Sequence, residues 1–266
     1  MADDWPEHAW PQHTWPEDHL TKDDFLGGRL RIRQPRDGYR AGVDPVLLAA
    51  SVPARRGDSV LDLGCGVGVA GLCLASRVEG LRLSGLEVQP RYAALACRNA
   101  LENGIEMDVV TGDLSTMPEP LRQRQFTHVL VNPPYFDRTA GTSARDAGRE
   151  TALGETTPLS VWVQAAARRT APKGTVTFIH RTERVPELLA ELSRHLGSLE
   201  MLPLIPRRGR SARLALFRGR KGGRADFRLH DGWVLHEGAS HEADAENYTT
   251  ATAWVLRHAE PLAFPA

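Results

Sequence analysis

One stretch limits the possible folds more than any other. The apolar run Ser59-Val60-Leu61-Asp62-Leu63 ends abruptly in Gly64, Gly66 and Gly68, and a second apolar stretch at 69–77 follows directly. Glycines at this density let a strand turn sharply into a helix and let the backbone approach a ligand closely. Downstream the pattern repeats. LRLSGLEV, MDVVTGD, FTHVLVN and GTVTFIH read as strands, and 90–103, 158–169 and 185–196 read as helices. Strands alternating with helices imply an α/β fold with a parallel sheet covered on both faces. Ligands of such sheets sit at the carboxyl ends of the strands, where the strand order reverses.

The 266 residues suffice for one core domain with a small appendage. The net charge is 0, so any affinity for nucleic acid must come from local clusters. Cys65, Cys73 and Cys97 form no CxxC pair, which predicts a reduced, cytoplasmic protein with neither disulfides nor a thiolate metal site. No run approaches the roughly 18 apolar residues of a membrane span, and the acidic start is not a signal peptide. Three divisions follow. Residues 1–21 are a tail in which Trp5, Trp10 and Trp15 each precede proline, expected to be extended or disordered. Residues 22–57 hold a hairpin turning at Gly27-Gly28 and a helix near Pro45 with Asp44 as N-cap. Residues 58–266 are the main domain.

The chemistry lies at the strand ends. Gly66 to Gly71 also matches the dinucleotide fingerprint G-x-G-x-x-G, so the glycine loop alone does not exclude a nicotinamide cofactor. Asp62, two residues before the first glycine, suits a cationic ligand better than a pyrophosphate. Glu87 can accept both hydroxyls of a ribose, and Asp113 can accept from an adenine amino group. The strand at 126–131 runs into Asn132-Pro133-Pro134-Tyr135. The Asn132 side-chain carbonyl and the Pro133 main-chain carbonyl are two acceptors in one stiff turn. Together they can hold a planar NH2 group with its lone pair aimed at a methyl donor. Tyr135 offers a flat face for stacking.

With these motifs the chain resembles class I methyltransferases of the NPPY type, whose substrates are exocyclic base amines or the side-chain amide of glutamine. The resemblance implies a Rossmann-like doubly wound sheet, seven-stranded and mostly parallel with an antiparallel terminal strand. It implies S-adenosyl-L-methionine as cofactor and S-adenosyl-L-homocysteine as product, bound by Asp62, Gly64, Gly66, Gly68, Glu87 and Asp113. Asn132, Pro133 and Tyr135 would be catalytic, with Asn132 also near the cofactor, and neither a metal nor a nucleophile is needed. The flanks narrow the family. QPRDGYRAGVDPVLLAA before the core and the Tyr248-Thr249 helix after it are similar to the bacterial tRNA1(Val) adenine methyltransferases. In that reading Tyr39, Arg40 and Asp44 cap the cofactor pocket, and the substrate is an adenosine beside the anticodon of a tRNA.

Residues 207–228 hold nine basic side chains and one acid. Arg207, Arg208, Arg210, Arg218, Arg220, Lys221 and Arg224 thus read either as a phosphate clamp for tRNA or as a solvated loop. Arg29, Arg31 and Arg33 on the hairpin would extend the same surface. An rRNA guanine or adenine amino-methyltransferase, a protein glutamine methyltransferase and a non-catalytic RNA-binding protein are the competing readings. The oligomeric state, monomer or dimer, is not legible.

Overall fold

The computed structural model describes residues 14–137, 154–155, 157–238 and 247–265. Trp5, Trp10 and most of the polar stretch between 138 and 156 lie outside the described residues.

The central sheet contains β3 (Ser59–Leu63), β4 (Arg82–Glu87), β5 (Met107–Thr111), β6 (Phe126–Val131), β9 (Thr170–Arg181), β10 (Gly197–Ile205) and β11 (Leu214–Arg220). Two short strands, β12 (Arg228–Leu229) and β13 (Trp233–Val234), both pair with β10, and the order is β12-β10-β11-β9-β6-β3-β4-β5. All pairs are parallel except those of β11, which runs antiparallel to both β9 and β10. The antiparallel strand thus lies inside the sheet, inserted between β9 and β10, while the edge beyond β10 is extended by β12 and β13. A short hairpin of β1 (Leu20–Phe25) and β2 (Leu30–Pro35) and a two-residue pairing of β7 (Phe136–Asp137) with β8 (Gly154–Glu155) stand apart from it.

Helices cover both faces, as the alternation predicts. On one face lie α1 (Asp44–Ser51), α2 (Val69–Arg77) and α3 (Pro90–Glu102). The other is covered by α4 (Glu119–Arg122), α5 (Leu159–Arg169) and α6 (Val185–Ser193). The last helix, α7 (Thr250–His258), packs against α1 and the hairpin turn. The two-residue period of the strands sorts side chains between these layers. Val60 joins the α2 side while Leu61 and Leu63 join the α5 side, and Leu130 opposes Val129 and Val131 in the same way. All six are fully buried, each contributing about 1.5–3 kcal/mol.

Two asparagines on α3 dock the hairpin. Asn99 is fully buried; its Oδ1 accepts from Arg33 N (2.8 Å) and its Nδ2 donates to Arg33 O (3.1 Å) and to Val67 O (2.9 Å). Asn103 does the same for Arg31, with both bonds at 2.9 Å. Arg33 pairs with Glu102 and Glu17, so the hairpin arginines serve docking as well as display. The tail is less free than expected. Trp15 meets Tyr92 edge-on at 4.9 Å with Arg91 stacked over it, and Leu20 is buried in β1. Among the described residues no helix is long and apolar enough to cross a membrane. Nor does any group of three His, Cys, Asp or Glu side chains there suit a metal ion.

Candidate active site

The chain steps from β3 to β4 and β5 on one side and places β6 on the other side of β3, so the order reverses between β3 and β6. A cavity of about 210 Å³ opens at the carboxyl ends of these strands. It is lined by Asp62, Gly64, Gly66, Glu87, Asp113, Tyr39 and the whole Asn132-Pro133-Pro134-Tyr135 turn, which were separate expectations in the sequence.

Carboxylates brace the glycine loop. Gly64, Gly66 and Gly68 all have positive φ (78°, 55° and 90°), the region that favours glycine. Glu87 Oε2 accepts from Gly66 N (2.9 Å) and its Oε1 accepts from Gln89 N (2.8 Å), joining the loop to the start of α3. Asp62 Oδ2 accepts from Gly71 N (2.8 Å) in the first turn of α2. Burial pushes Asp62 up to about 7, helped by the neighbouring Glu87 charge, and burial raises Glu87 as well. Asp113 is exposed at the rim, its Oδ1 accepting from Ser115 N (2.7 Å).

Several assignments change. Gly68 does not line the cavity; it occupies the N-cap of α2, where its positive φ starts the helix. Asp44 does not line it either, nor is it an N-cap: Val43 holds that position. Asp44 sits behind the turn, where its Oδ2 accepts from the Tyr135 hydroxyl at 2.9 Å. The same hydroxyl lies 2.9 Å from Asn132 Oδ1, so Tyr135 is anchored through its polar end as well as offering a ring.

Two residues at the site, Trp162 and Tyr92, gave no signal in the sequence, and a third, His180, reads there as a packed strand residue rather than a base. Trp162 on α5 lies so close to the loop that a Cβ at Gly64 would come within 2.7 Å of its ring, and its buried Nε1 has no hydrogen-bond partner among the described residues. At helical spacing it reads as core. Tyr92 accepts from Tyr39 N (3.0 Å) and lines the adjacent wall. Behind the turn, fully buried His180 packs 5.5 Å from the Tyr135 ring. Burial lowers its pKa to about 4, so it is neutral near neutral pH.

The basic segment divides between two edges. Because β11 reverses direction, the turn from Ile205 to Leu214 lies at the carboxyl edge with the cavity, and the residues after β11 lie at the opposite edge. Arg208, Arg210 and Arg213 are exposed on the cavity edge, where Thr182 after β9 bonds Arg213 O (3.0 Å) and Ala212 O (3.0 Å). Arg207, though on that edge, is buried and donates to Glu237 O. Arg218 is paired with Glu200 (2.5 Å) and stacked on Phe264. Arg220 donates to Lys173 O (3.2 Å) and Lys221 to Ala167 O (2.9 Å), while Arg224 is exposed on that far side. A single clamp over 207–228 is therefore not what the chain builds.

The residues fit S-adenosylmethionine. Space in front of Gly66 is open, since a Cβ there would meet only Tyr39 at 3.9 Å. A nearly dry acid at Asp62 suits a cationic amino-acid end, and the apolar wall with Glu87 and Asp113 beyond suits a nucleoside.

Comparison with known proteins agrees. The family model described as "Methyltransferase small domain" matches residues 41–150. The tRNA1(Val) (adenine(37)-N6)-methyltransferase of Actinobacillus pleuropneumoniae serotype 7 is 31% identical over 188 residues, covering 68% of this chain and 77% of that protein. The enzyme of the same name from Shewanella halifaxensis is 30% identical over 163 residues, covering 59% of this chain and 64% of that protein. Among solved structures, a predicted O-methyltransferase of Agrobacterium tumefaciens shares the fold with a TM-score of 0.68 and 24% identity, over 84% of this chain and all of that one. The 16S rRNA N2 G1207 methyltransferase of T. thermophilus, solved with AdoMet and guanosine, shares it with a TM-score of 0.53 and 18% identity, over 76% and 50% of the two chains. The chain belongs to the tRNA1(Val) (adenine(37)-N6)-methyltransferase family and is an S-adenosylmethionine-dependent methyltransferase.

Proposed function

We propose that this protein methylates the exocyclic N6 amine of an adenine in a tRNA anticodon loop, at position 37 as in the names of its relatives. One observation carries the reading. The Asn132-Pro133-Pro134-Tyr135 turn opens into the same cavity as Asp62 and Glu87, on the edge that also displays Arg208, Arg210 and Arg213.

The cofactor supplies an already activated methyl group, so the protein's task is to hold and orient. Asn132 Oδ1 and the Pro133 carbonyl each accept one hydrogen of the amine, which presents its lone pair for in-line attack. The two prolines leave the turn little freedom to lose on binding. A loop adenine can be splayed out and inserted without melting a duplex, and the arginines on the same edge meet the flanking phosphates.

The test is transfer from isotopically labelled S-adenosylmethionine to a tRNA transcript, followed by mass spectrometry of the digested nucleosides. The expected product is N6-methyladenosine, lost when the target adenine is replaced by guanine. Asn132→Ala should abolish transfer while preserving the thermal shift caused by S-adenosylmethionine. A methylated guanine, or label on protein glutamine instead of RNA, would overturn the substrate assignment.

A further inference from the structure

Tyr135 carries one hydroxyl hydrogen and faces two acceptors, Asp44 Oδ2 and Asn132 Oδ1, each at 2.9 Å. Asp44 and Tyr135 are 91 residues apart, and neither acceptor is near the other in sequence. Tyr39 lines the same cavity as Asn132, and its main-chain N–H donates to the Tyr92 hydroxyl at 3.0 Å. The carboxamide that should grip the substrate thus meets a phenol that also answers to a carboxylate outside the cavity.

We propose that Asp44 is a positioning residue that determines, through the Tyr135 hydroxyl, whether Asn132 Oδ1 is free to hold the target amine, and that transfer requires Asp44 ionised. The proposal rests on the amine-methylating reading above. An ionised carboxylate is the stronger acceptor, because charge-assisted hydrogen bonds are roughly twice as strong as neutral ones. It draws the Tyr135 hydrogen to itself. Asn132 Oδ1 then faces a phenol oxygen without a donor between them, and once a bound base displaces water from the cavity an acceptor left unpaired is costly. An incoming N–H relieves that cost; a base presenting a carbonyl at the same place worsens it. The arrangement therefore selects an amine before any chemistry occurs. Protonation of Asp44 reverses the chain: the acid donates to the Tyr135 oxygen, and the Tyr135 hydrogen turns onto Asn132 Oδ1 in competition with the substrate.

The surroundings bring this change toward working pH. Burial raises the Asp44 pKa above the ordinary carboxylate range, against the lowering influence of the Tyr135 hydroxyl and the Arg181 guanidinium at the end of β9. Tyr39, in the loop before α1, is pushed far up by burial and by Asp44 itself, and so stays neutral. His180 beside the Tyr135 ring is neutral above about 4. As pH falls, Asp44 is the member of this group whose charge controls the hydroxyl.

Two measurements on the full chain test the idea. In the cofactor-free protein, the Asn132 carboxamide resonances should shift with pH at the Asp44 midpoint, and both Asp44→Asn and Tyr135→Phe should abolish that response. In single-turnover transfer to tRNA at saturating S-adenosylmethionine, the wild-type rate should fall at acid pH. Asp44→Asn should lower it about tenfold and flatten the acid limb, with no further decrease when added to Tyr135→Phe. An Asn132 signal indifferent to pH, one that still responds in Tyr135→Phe, or strictly additive rate decreases would overturn the proposal. Absence of transfer to tRNA with the resonance response intact would count against the substrate reading alone.

Discussion

At the scale of single residues, Asp62 shows how a buried charge can serve a ligand. It is 2% exposed, bonded to Gly71 N, and pushed up to about 7 by burial and by Glu87. A carboxylate whose folded pKa is raised makes the ligand-free protein more stable at low pH; that stability is lost as pH rises between about 4 and about 7. A cation bound beside it favours the ionised form. Binding of S-adenosylmethionine below about 7 should therefore release a proton, and affinity should weaken as pH falls through that value. Calorimetry in buffers of different ionisation enthalpy reads this directly, and heats identical in all buffers would show that Asp62 does not face the cation. Asp62→Asn keeps an acceptor for Gly71 N and removes the charge. It should weaken cofactor binding by roughly 10–100-fold, since hydrogen bonds to charged groups are worth about 1.5–3 kcal/mol, and should abolish the proton release.

At the scale of elements, the glycine loop is held by neighbours. Glu87 ties it to α3, Trp162 on α5 packs on Gly64, and Asn99 links Val67 to the hairpin. Asn99→Ala leaves Arg33 N, Arg33 O and Val67 O without their partner at a fully buried position. Each unsatisfied group costs about 1–3 kcal/mol when water cannot reach it. The expected result is a clear fall in thermal midpoint, with weaker hydrogen-exchange protection at Arg33 and in the loop around Val67 while β6 and β9 stay protected. Uniform weakening across the sheet would instead mean that the hairpin and the core unfold as one unit. The presence and order of the core helices and strands were legible in the sequence because they rest on local rules, although the strand read at 174–180 spans Thr170–Arg181. The period of apolar residues and the positive φ open to glycine act within a few positions. Asp44 misled for the opposite reason: aspartate before Pro45 has the composition of an N-cap, yet a phenol from the distant β6 turn claims its carboxylate.

At the scale of the whole molecule, the sheet decides which charges can act together. Strand β11 spans seven residues, about 20 Å at a strand's rise per residue. Arg213 and Lys221 therefore face opposite edges although they are neighbours in sequence. Replacing Arg208, Arg210 and Arg213 by alanine should weaken tRNA binding and reduce its salt slope, by roughly 0.7–0.9 for each phosphate no longer neutralised. Arg218→Ala should leave that slope unchanged and lower thermal stability, because it breaks the Glu200 pair and uncovers Phe264. The reverse outcome would move the RNA surface to the far edge. The fold class, the glycine loop, the acids at strand ends and the Asn132 to Tyr135 turn followed from the sequence alone. Each is a short segment whose backbone chemistry is local, and the parallel sheet forces such strand ends together. The partner of Tyr135, the place of Trp162 and the division of the arginines depended on the tertiary structure, because each depends on which distant segments the order and direction of the strands bring together.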